Sequence, residues 1–267
     1  MPTAPTPPPL PLVGVLFDLD GTLVDSEALN WIAWDAVLGE VAGVGTRCAS
    51  SSTQALITGP ALRGASAPAI AAELISSRGI GAPHTVESLV SRKRALAVEL
   101  ATRGEVDLAS LWFPGVVAAI RALQARLGAG GIGLCTSNLR PIAGAVLLAG
   151  RVDASFGGGR TVQEDVAPAE MKPHPAPYAR ALEQMGMMLR AEAVAAVEDS
   201  AAGVRSAVAA GVGVVLGVLN VGGDAAVAAA ATAAVLRDAG AWWVFPTTVA
   251  AVEWILEHTV VAPASNM

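Results

Sequence analysis

The sequence has few cysteines and too little basic charge to outweigh its acids, and each shortage excludes a class of protein. Two cysteines, Cys48 and Cys135, are too few for a disulfide framework and are typical of a reducing compartment. The formal net charge is −6, whereas a general nucleic-acid-binding protein is normally basic. We therefore expect no nucleic-acid partner.

Long hydrophobic runs and early basic residues are missing as well. The longest apolar stretch, residues 207–219, is shorter than the roughly 20 residues of a membrane-spanning helix. The proline-rich residues 1–11 contain no lysine or arginine, whereas a secretory signal or a transit peptide needs early positive charge. We expect these residues to form a flexible extension, and the protein to be cytoplasmic and not to bind membranes.

Strand-like and helix-like segments alternate along most of the chain. Apolar runs at residues 12–17, 131–135 and 193–197 predict short buried strands, and the segments between such runs have the spacing of amphipathic helices. A weaker strand is predicted near residues 154–156. This order is typical of an α/β protein with a Rossmann-like, three-layer core, in which helices cover both faces of a parallel sheet.

A mostly helical block interrupts this alternation after the first strand. Residues 26–41 and 85–103 have helical patterns, and no strand-like segment separates them. We predict a helical domain at residues 28–112, inserted into a sheet domain formed by residues 12–27 and 113–260.

Acidic side chains stand where two of the predicted strands end. Asp18 and Asp20 follow the first strand, and Glu198 and Asp199 follow a later one. Because ligands of parallel sheets bind beyond the carboxyl ends of the strands, we expect these acids to share one pocket. They cannot all stay ionised there without a counter-charge, and Mg²⁺ held by a few carboxylates would supply it.

Two further side chains complete a pattern that resembles a known family. Thr136, after a hydrophobic strand, offers a hydroxyl group to a phosphoryl oxygen, and Lys172 offers a second positive charge. In order, DLDGT at 18–22, Thr136, Lys172-Pro173 and Glu198-Asp199 resemble the four motifs of the haloacid dehalogenase-like (HAD) phosphatase superfamily. The resemblance extends from residue 12 to the end of the chain. It implies the HAD fold, with the helical insertion at the position of the family's C1 cap.

Three more segments are similar to one branch of that superfamily. They are DSEALNWIAW, KPHPAPY and VEDSAAGVRSAVAAG, and the branch contains β-phosphoglucomutases, phosphoglycolate phosphatases and small sugar-phosphate phosphatases. The resemblance therefore implies an enzyme that acts on small phosphorylated metabolites.

The resemblance also implies a role for each matched residue. Asp18 would attack phosphorus and form an aspartyl-phosphate, and Asp20 would protonate the leaving alcohol and later take a proton from water. Lys172 would stabilise Asp18 and the transferring group. Mg²⁺ would be held by Asp18, the backbone carbonyl of Asp20 and Asp199, with Glu198 as a direct ligand or an outer partner. The phosphoryl oxygens would be bound by Gly21, Thr136, Ser137, Asn138 and Lys172.

The cap differs from that of the β-phosphoglucomutases at two positions when the sequences are aligned without gaps. Asn30 stands where that family usually has a catalytic-cycle histidine, and Ala67 stands where it has a phosphate-binding arginine. Arg63 and Gly64 match the family. Because contacts with a second phosphate are charge-assisted, losing one weakens the binding of a bisphosphate. We therefore predict a Mg²⁺-dependent phosphatase of a small phosphorylated metabolite, such as a sugar phosphate.

Other interpretations stay open. A β-phosphoglucomutase-type sugar phosphomutase is the second, and a catalytically silent binding module on the same fold is the third. A dehalogenase is disfavoured, because relatives that cleave carbon–halogen bonds lack the second aspartate that Asp20 supplies. Trp34 either lies over the active site or belongs to the core of the cap. We expect the protein to be a monomer or a weak dimer.

Overall fold

The computed structural model of the chain describes residue 8 and residues 10–42, 67–220 and 226–259. These residues form six β-strands and nine α-helices, with short 3₁₀ turns between some of them. The chain divides into two compact units, one formed by Met1–Asp25 with Trp112–Met267 and the other by Ser26–Leu111. The domain limits given above and the flexible extension at residues 1–11 stay predictions.

The first unit is built on a single parallel sheet. Its strands are β1 (Gly14–Phe17), β2 (Ile132–Cys135), β3 (Arg160–Thr161), β4 (Val194–Glu198), β5 (Val214–Val218) and β6 (Trp243–Phe245). The order across the sheet is β3-β2-β1-β4-β5-β6. Every residue of β1, β2, β4 and β5 is buried, which explains why these strands are continuous apolar runs instead of alternating ones. The predicted α/β class is confirmed.

The second unit is helical. Its described helices are α1 (Glu27–Val41), α2 (Ala67–Arg78) and α3 (Val86–Thr102). They share an apolar core that includes Trp34, Val37, Ile70, Leu74 and Leu89. Arg92 of α3 also binds Glu40 of α1 through two hydrogen bonds, of 2.7 Å from Nε and 2.5 Å from Nη2. The predicted helical insertion is thus a unit with its own core.

The sheet is the middle of three layers. The covering helices are α4 (Val116–Leu127), α5 (Arg140–Ala149), α6 (Ala176–Gln184), α7 (Ala201–Ala209), α8 (Ala226–Asp238) and α9 (Thr248–His258). Helices α6, α7 and α8 pack against the face that presents Leu16, Ala196 and Val215. Because parallel crossovers are almost always right-handed, α4 lies on the opposite face, where it packs against α9.

The helices in the described ranges include none that is long and apolar enough to cross a membrane.

Strand β3 lies further along the chain than predicted. The predicted weak strand near residues 154–156 is wrong, because a 3₁₀ turn occupies Asp153–Ser155. Phe156 instead fills the core edge-on against Phe17, with ring centroids 6.4 Å apart. The pairing with β2 comes later, through Arg160 and Thr161 alone. The aromatic residue that suggested a strand therefore serves in packing between layers.

Candidate active site

Four of the predicted site residues stand at the carboxyl edge of the sheet. Asp18 follows β1, Thr136 follows β2, Glu198 is the last residue of β4, and Asp199 comes next. Strand β1 lies between β2 and β4 in the sheet, so the ends of these three strands are neighbours. Residues more than a hundred positions apart in the chain therefore converge on Asp18.

Lys172 reaches this edge from the loop before α6. Its ammonium group donates hydrogen bonds to Asp18 Oδ1 at 2.7 Å, to Glu198 Oε1 at 2.6 Å and to the backbone oxygen of Cys135 at 2.8 Å. Its side chain is only 6% exposed. Although burial lowers the pKa of Lys172, the carboxylates of Asp18 and Glu198 raise it well above its usual value. The ammonium group therefore stays charged between two buried acids.

Asp18, Glu198 and Asp199 together carry more negative charge than Lys172 balances. Each offers one carboxylate oxygen, and these oxygens lie within 4.8 Å of one another. Burial raises the pKa of Asp18 to about 7; Lys172 opposes this rise, and Glu198 and Asp20 add to it. Burial, followed by the charges of Asp18 and Glu198, also raises the pKa of Asp199 well above its usual range. Clustered carboxylate oxygens whose charge is only partly balanced fit a hard divalent cation such as Mg²⁺.

The carboxylate of Asp20 is bound by residues that follow β2. Asn138 Nδ2 donates to its two oxygens at 3.2 and 3.1 Å, and Thr136 Oγ1 lies 3.5 Å from Oδ2. The backbone N–H of Asn138 donates to Thr136 Oγ1 at 3.0 Å, which fixes the hydroxyl group. Ser137, between them, is exposed. The structure thus places Asp20, the predicted proton-transfer residue, against Thr136 and Asn138, two of the predicted phosphate-binding residues.

Two glycines lie so close to acids of the site that any larger residue at these positions would collide with a carboxylate. Gly21 has a φ of +79°, and a Cβ there would collide with the carboxylate of Asp199. Gly203 lies in the first turn of α7, and a Cβ there would collide with the carboxylate of Glu198. The predicted phosphate contact of Gly21 stays a prediction, and Gly203 was not singled out from the sequence.

The sequence reasoning also missed two side chains that bind Glu198. The Tyr178 hydroxyl donates to Oε1 at 2.9 Å, and the Ser200 hydroxyl donates to Oε2 at 3.1 Å. The ring of Tyr178 also lies under Lys172, whose Nζ is 5.2 Å from the ring centroid. Burial and the nearby charge of Glu198 raise the pKa of Tyr178 well above its usual value, so the hydroxyl stays a donor. The available signals were the position of Tyr178 at the end of KPHPAPY and that of Ser200 in VEDSAAGVRSAVAAG.

The predicted substrate residues of the helical unit are described in part. Asn30 lies on α1 and is partly buried. Trp34 is fully buried in the core of this unit, which favours the core interpretation for its ring. Arg63 and Gly64 lie outside the described residues. The predicted substrate contacts of these residues stay predictions.

The family model of the haloacid dehalogenase-like hydrolases matches residues 13–211. This range runs from β1 past the end of α7 and includes every acid of the site, Thr136 and Lys172. The chain therefore belongs to this family of enzymes, as the four motifs predicted. The curated proteins include no match to this chain.

Solved structures with similar folds span nearly the whole chain. A putative β-phosphoglucomutase from Thermotoga maritima has a TM-score of 0.65 at 21% identity, over 92% of this chain and 99% of that one. A predicted phosphoglycolate phosphatase from Haemophilus somnus has a TM-score of 0.63 at 20% identity, over 91% and 97%. A HAD family hydrolase from Deinococcus radiodurans, with bound phosphate and sodium, has a TM-score of 0.59 at 25% identity, over 95% and 99%. These likenesses establish the HAD fold.

Proposed function

We propose that this protein is a Mg²⁺-dependent phosphatase that hydrolyses a small phosphorylated metabolite, such as a sugar phosphate, through an aspartyl-phosphate on Asp18. The observation that carries the proposal is the contact of Lys172 with both Asp18 and Glu198, beside Asp199. In this arrangement Asp18 would be the nucleophile, Lys172 supplies a fixed positive charge, and the neighbouring carboxylates supply oxygen ligands for a divalent cation. Phosphoryl transfer depends mainly on such positioning and charge neutralisation.

The first step would transfer the phosphoryl group to Asp18. Lys172 binds Oδ1 of this residue, so we assign the attack on phosphorus to Oδ2. The Oδ2–P bond forms while the ester P–O bond breaks. The protonated carboxyl group of Asp20 gives its proton to the oxygen of the leaving alcohol, which leaves Asp20 ionised.

The second step would hydrolyse the aspartyl-phosphate. Water attacks phosphorus, the Oδ2–P bond breaks, and Asp20 takes the proton that the water loses. Inorganic phosphate leaves, Asp18 is again a carboxylate, and Asp20 is again an acid. Asn138, which binds both oxygens of Asp20, keeps this carboxyl group oriented through both transfers.

Asp18, Asp199 and the backbone carbonyl of Asp20 would hold the Mg²⁺ ion. Glu198 fits an outer position better, because its oxygens already accept hydrogen bonds from Lys172, Tyr178 and Ser200. When bound, the ion supplies positive charge to the transferring phosphoryl group. The predicted cytoplasmic location, monomeric or weakly dimeric state and lack of a nucleic-acid partner stay predictions.

The test is phosphate release from a panel of sugar phosphates, phosphoglycolate, glycerol phosphate and nucleotides with Mg²⁺, for the wild type and Asp18→Asn. We expect release by the wild type and a loss on the order of 10⁴-fold or more in the variant, because an amide is a poor nucleophile. Near-wild-type activity in Asp18→Asn would contradict the mechanism.

Two other results would select the alternatives. Interconversion of β-glucose 1-phosphate and glucose 6-phosphate without phosphate release would identify a sugar phosphomutase. Binding of Mg²⁺ without turnover of any substrate would identify a silent module.

A further inference from the structure

Asn220 connects the turn after Asp20 with the far half of the sheet. It follows β5 and has a left-handed backbone, with a φ of 43°. The two hydrogens of its Nδ2 atom are shared among three acceptors, namely the backbone oxygens of Gly21 at 2.8 Å and Thr22 at 3.0 Å and Thr248 Oγ1 at 2.9 Å. Its Oδ1 atom accepts from the backbone N–H of Thr248 at 2.9 Å. The carbonyls of Gly21 and Thr22 can only accept a hydrogen bond, and the backbone N–H of Thr248 can only donate one. These partners therefore determine which end of the amide is Nδ2 and which is Oδ1.

Thr248, the first residue of α9, completes the network. It is fully buried, and its hydroxyl group accepts from Asn220 and donates to the backbone oxygen of Thr22 at 2.5 Å. The backbone N–H of Asn220 in turn donates to Pro246, which follows β6, at 3.1 Å. The side-chain polar atoms of Asn220 and Thr248 thus all have partners, whereas the buried hydroxyl of Thr22 has none, and removing either side chain would leave further groups unpaired.

The turn itself has two kinds of hydrogen bonds. Internal ones, from Gly21 N to Val24 O at 2.8 Å and from Leu23 N to Leu19 O at 2.8 Å, determine its shape. The bonds from Asn220 and Thr248 instead tie it to β5 and α9, and a bond from Phe113 N to Leu23 O at 3.2 Å ties it to the segment before α4. Because Asp20 directly precedes Gly21, a displaced turn would displace both its carboxyl group and its backbone carbonyl.

We propose that Asn220, together with Thr248, is a positioning residue that holds the turn carrying Asp20 in place for proton transfer. The inference rests on the proposed function, because it assumes that Asp20 exchanges a proton with the substrate. Misplacement of a catalytic group by about 1 Å can lower a rate by roughly 10²-fold. We therefore expect the loss of this anchor to lower kcat by about 10- to 100-fold, with a much smaller change in KM.

The main variant is Asn220→Gly. Glycine adopts the left-handed backbone without strain, so this change removes the amide contacts and keeps the local conformation accessible. The matched control is Arg151→Gly, because Arg151 also has a left-handed backbone, with a φ of 53°, but has an exposed side chain. We expect the control to keep the wild-type kcat.

A second pair of variants tests the hydroxyl group of Thr248. Thr248→Val keeps the shape of the side chain but loses the bond to Thr22, so kcat should fall. Thr248→Ser keeps the hydroxyl group, so kcat should stay near the wild-type value. A purely structural role for Thr248 as a packed side chain predicts the opposite order, because serine loses a buried methyl group and valine does not.

Hydrogen–deuterium exchange of a peptide that spans residues 19–24 gives a readout independent of turnover. We expect faster exchange of this turn in Asn220→Gly and Thr248→Val, and unchanged exchange in Arg151→Gly. Unchanged exchange together with unchanged kcat in the first two variants would overturn the inference. If the wild type releases no phosphate, the proposed function fails, while the exchange measurement still tests whether Asn220 anchors the turn.

Discussion

At the scale of single residues, Lys172 is a buried cation that faces two acids of the site. Its ammonium group is the shared partner of Asp18 and Glu198, and Glu198 has no exposed surface. Lys172→Met would leave both carboxylates buried without this counter-charge. We expect the free energy of unfolding, measured with urea in the absence of metal, to fall by about 3–5 kcal/mol.

The exposed pair of Arg180 and Glu183 is a suitable control for Lys172. These side chains are 50% and 63% exposed and lie three residues apart on one helix. Arg180→Met should lower the free energy of unfolding by less than about 1 kcal/mol, because solvent screens such pairs. Equal losses in the two variants would show that Lys172 is not a buried counter-charge.

Tyr178→Phe separates the hydroxyl of Tyr178 from its ring. The ring under Lys172 is kept, and the hydrogen bond to Glu198 Oε1 is lost. A hydrogen bond to a charged acceptor contributes about 1.5–3 kcal/mol, and we expect a decrease of this size in the free energy of unfolding. Phosphatase activity should fall less than in Lys172→Met, since phenylalanine leaves the ammonium group in place. Wild-type stability in this variant would contradict the role assigned to the hydroxyl group.

The site residues that could be predicted from the sequence are those that lie next to a recognisable local pattern, such as an apolar run or a motif. Asp18, Thr136 and Glu198 could be found because each ends an apolar run, and Lys172 because proline follows it in motif order. Asn220 and Thr248 carry no such pattern, since their partners Gly21 and Thr22 belong to a distant part of the chain. Tyr178 and Gly203 lie inside segments that resemble the family, but their contacts with Glu198 follow only from the folded arrangement.

At the scale of the elements, the first turn of helix α7 packs against the carboxylate of Glu198. Gly203 in its first turn has no space for a Cβ because the carboxylate of Glu198 lies there, whereas Gly144 in α5 has open space around it. Alanine is normally more favourable than glycine within a helix by about 0.5–1 kcal/mol. We expect Gly144→Ala to raise the free energy of unfolding by this amount, and Gly203→Ala to lower it and to reduce activity.

Thermal unfolding and phosphate release measured on both glycine variants would check this difference. Stabilisation of both proteins by alanine would show that the Glu198 carboxylate moves aside without loss. Destabilisation by Gly144→Ala would show that α5 is constrained by something other than the contacts described above.

Strands that are buried on both faces could be predicted from the sequence, because they are continuous apolar runs. Predicted runs at residues 12–17, 131–135 and 193–197 correspond to β1, β2 and β4 within two residues. Edge strand β3 has only two residues, too few to show a pattern, and the nearby Phe156 suggested a strand in the wrong place. The order of strands across the sheet depends on contacts between distant segments, which single-segment patterns do not contain.

At the scale of the whole molecule, the proposed metal site predicts that stability depends on Mg²⁺. Asp18 and Asp199 are parts of different segments that only the folded sheet brings together, so an unfolded chain has no equivalent site. A ligand that binds only the folded state stabilises it by about 2.7 kcal/mol at a hundredfold excess over its Kd. Mg²⁺ should therefore raise the melting temperature of the wild type.

Asp199→Asn provides the matched test of this coupling. The variant removes a proposed ligand, so the rise in melting temperature with Mg²⁺ should be lost or much reduced, whereas exposed Glu183→Gln, which changes the net charge equally, should keep it. EDTA should also abolish phosphate release by the wild type. Mg²⁺ should restore it and Ca²⁺ should not, because Ca²⁺ takes more ligands at longer distances. Activity that survives chelation would show that these acids serve the reaction without a metal, and an equal Mg²⁺ effect in Asp199→Asn would show that Asp199 is not a ligand of the ion.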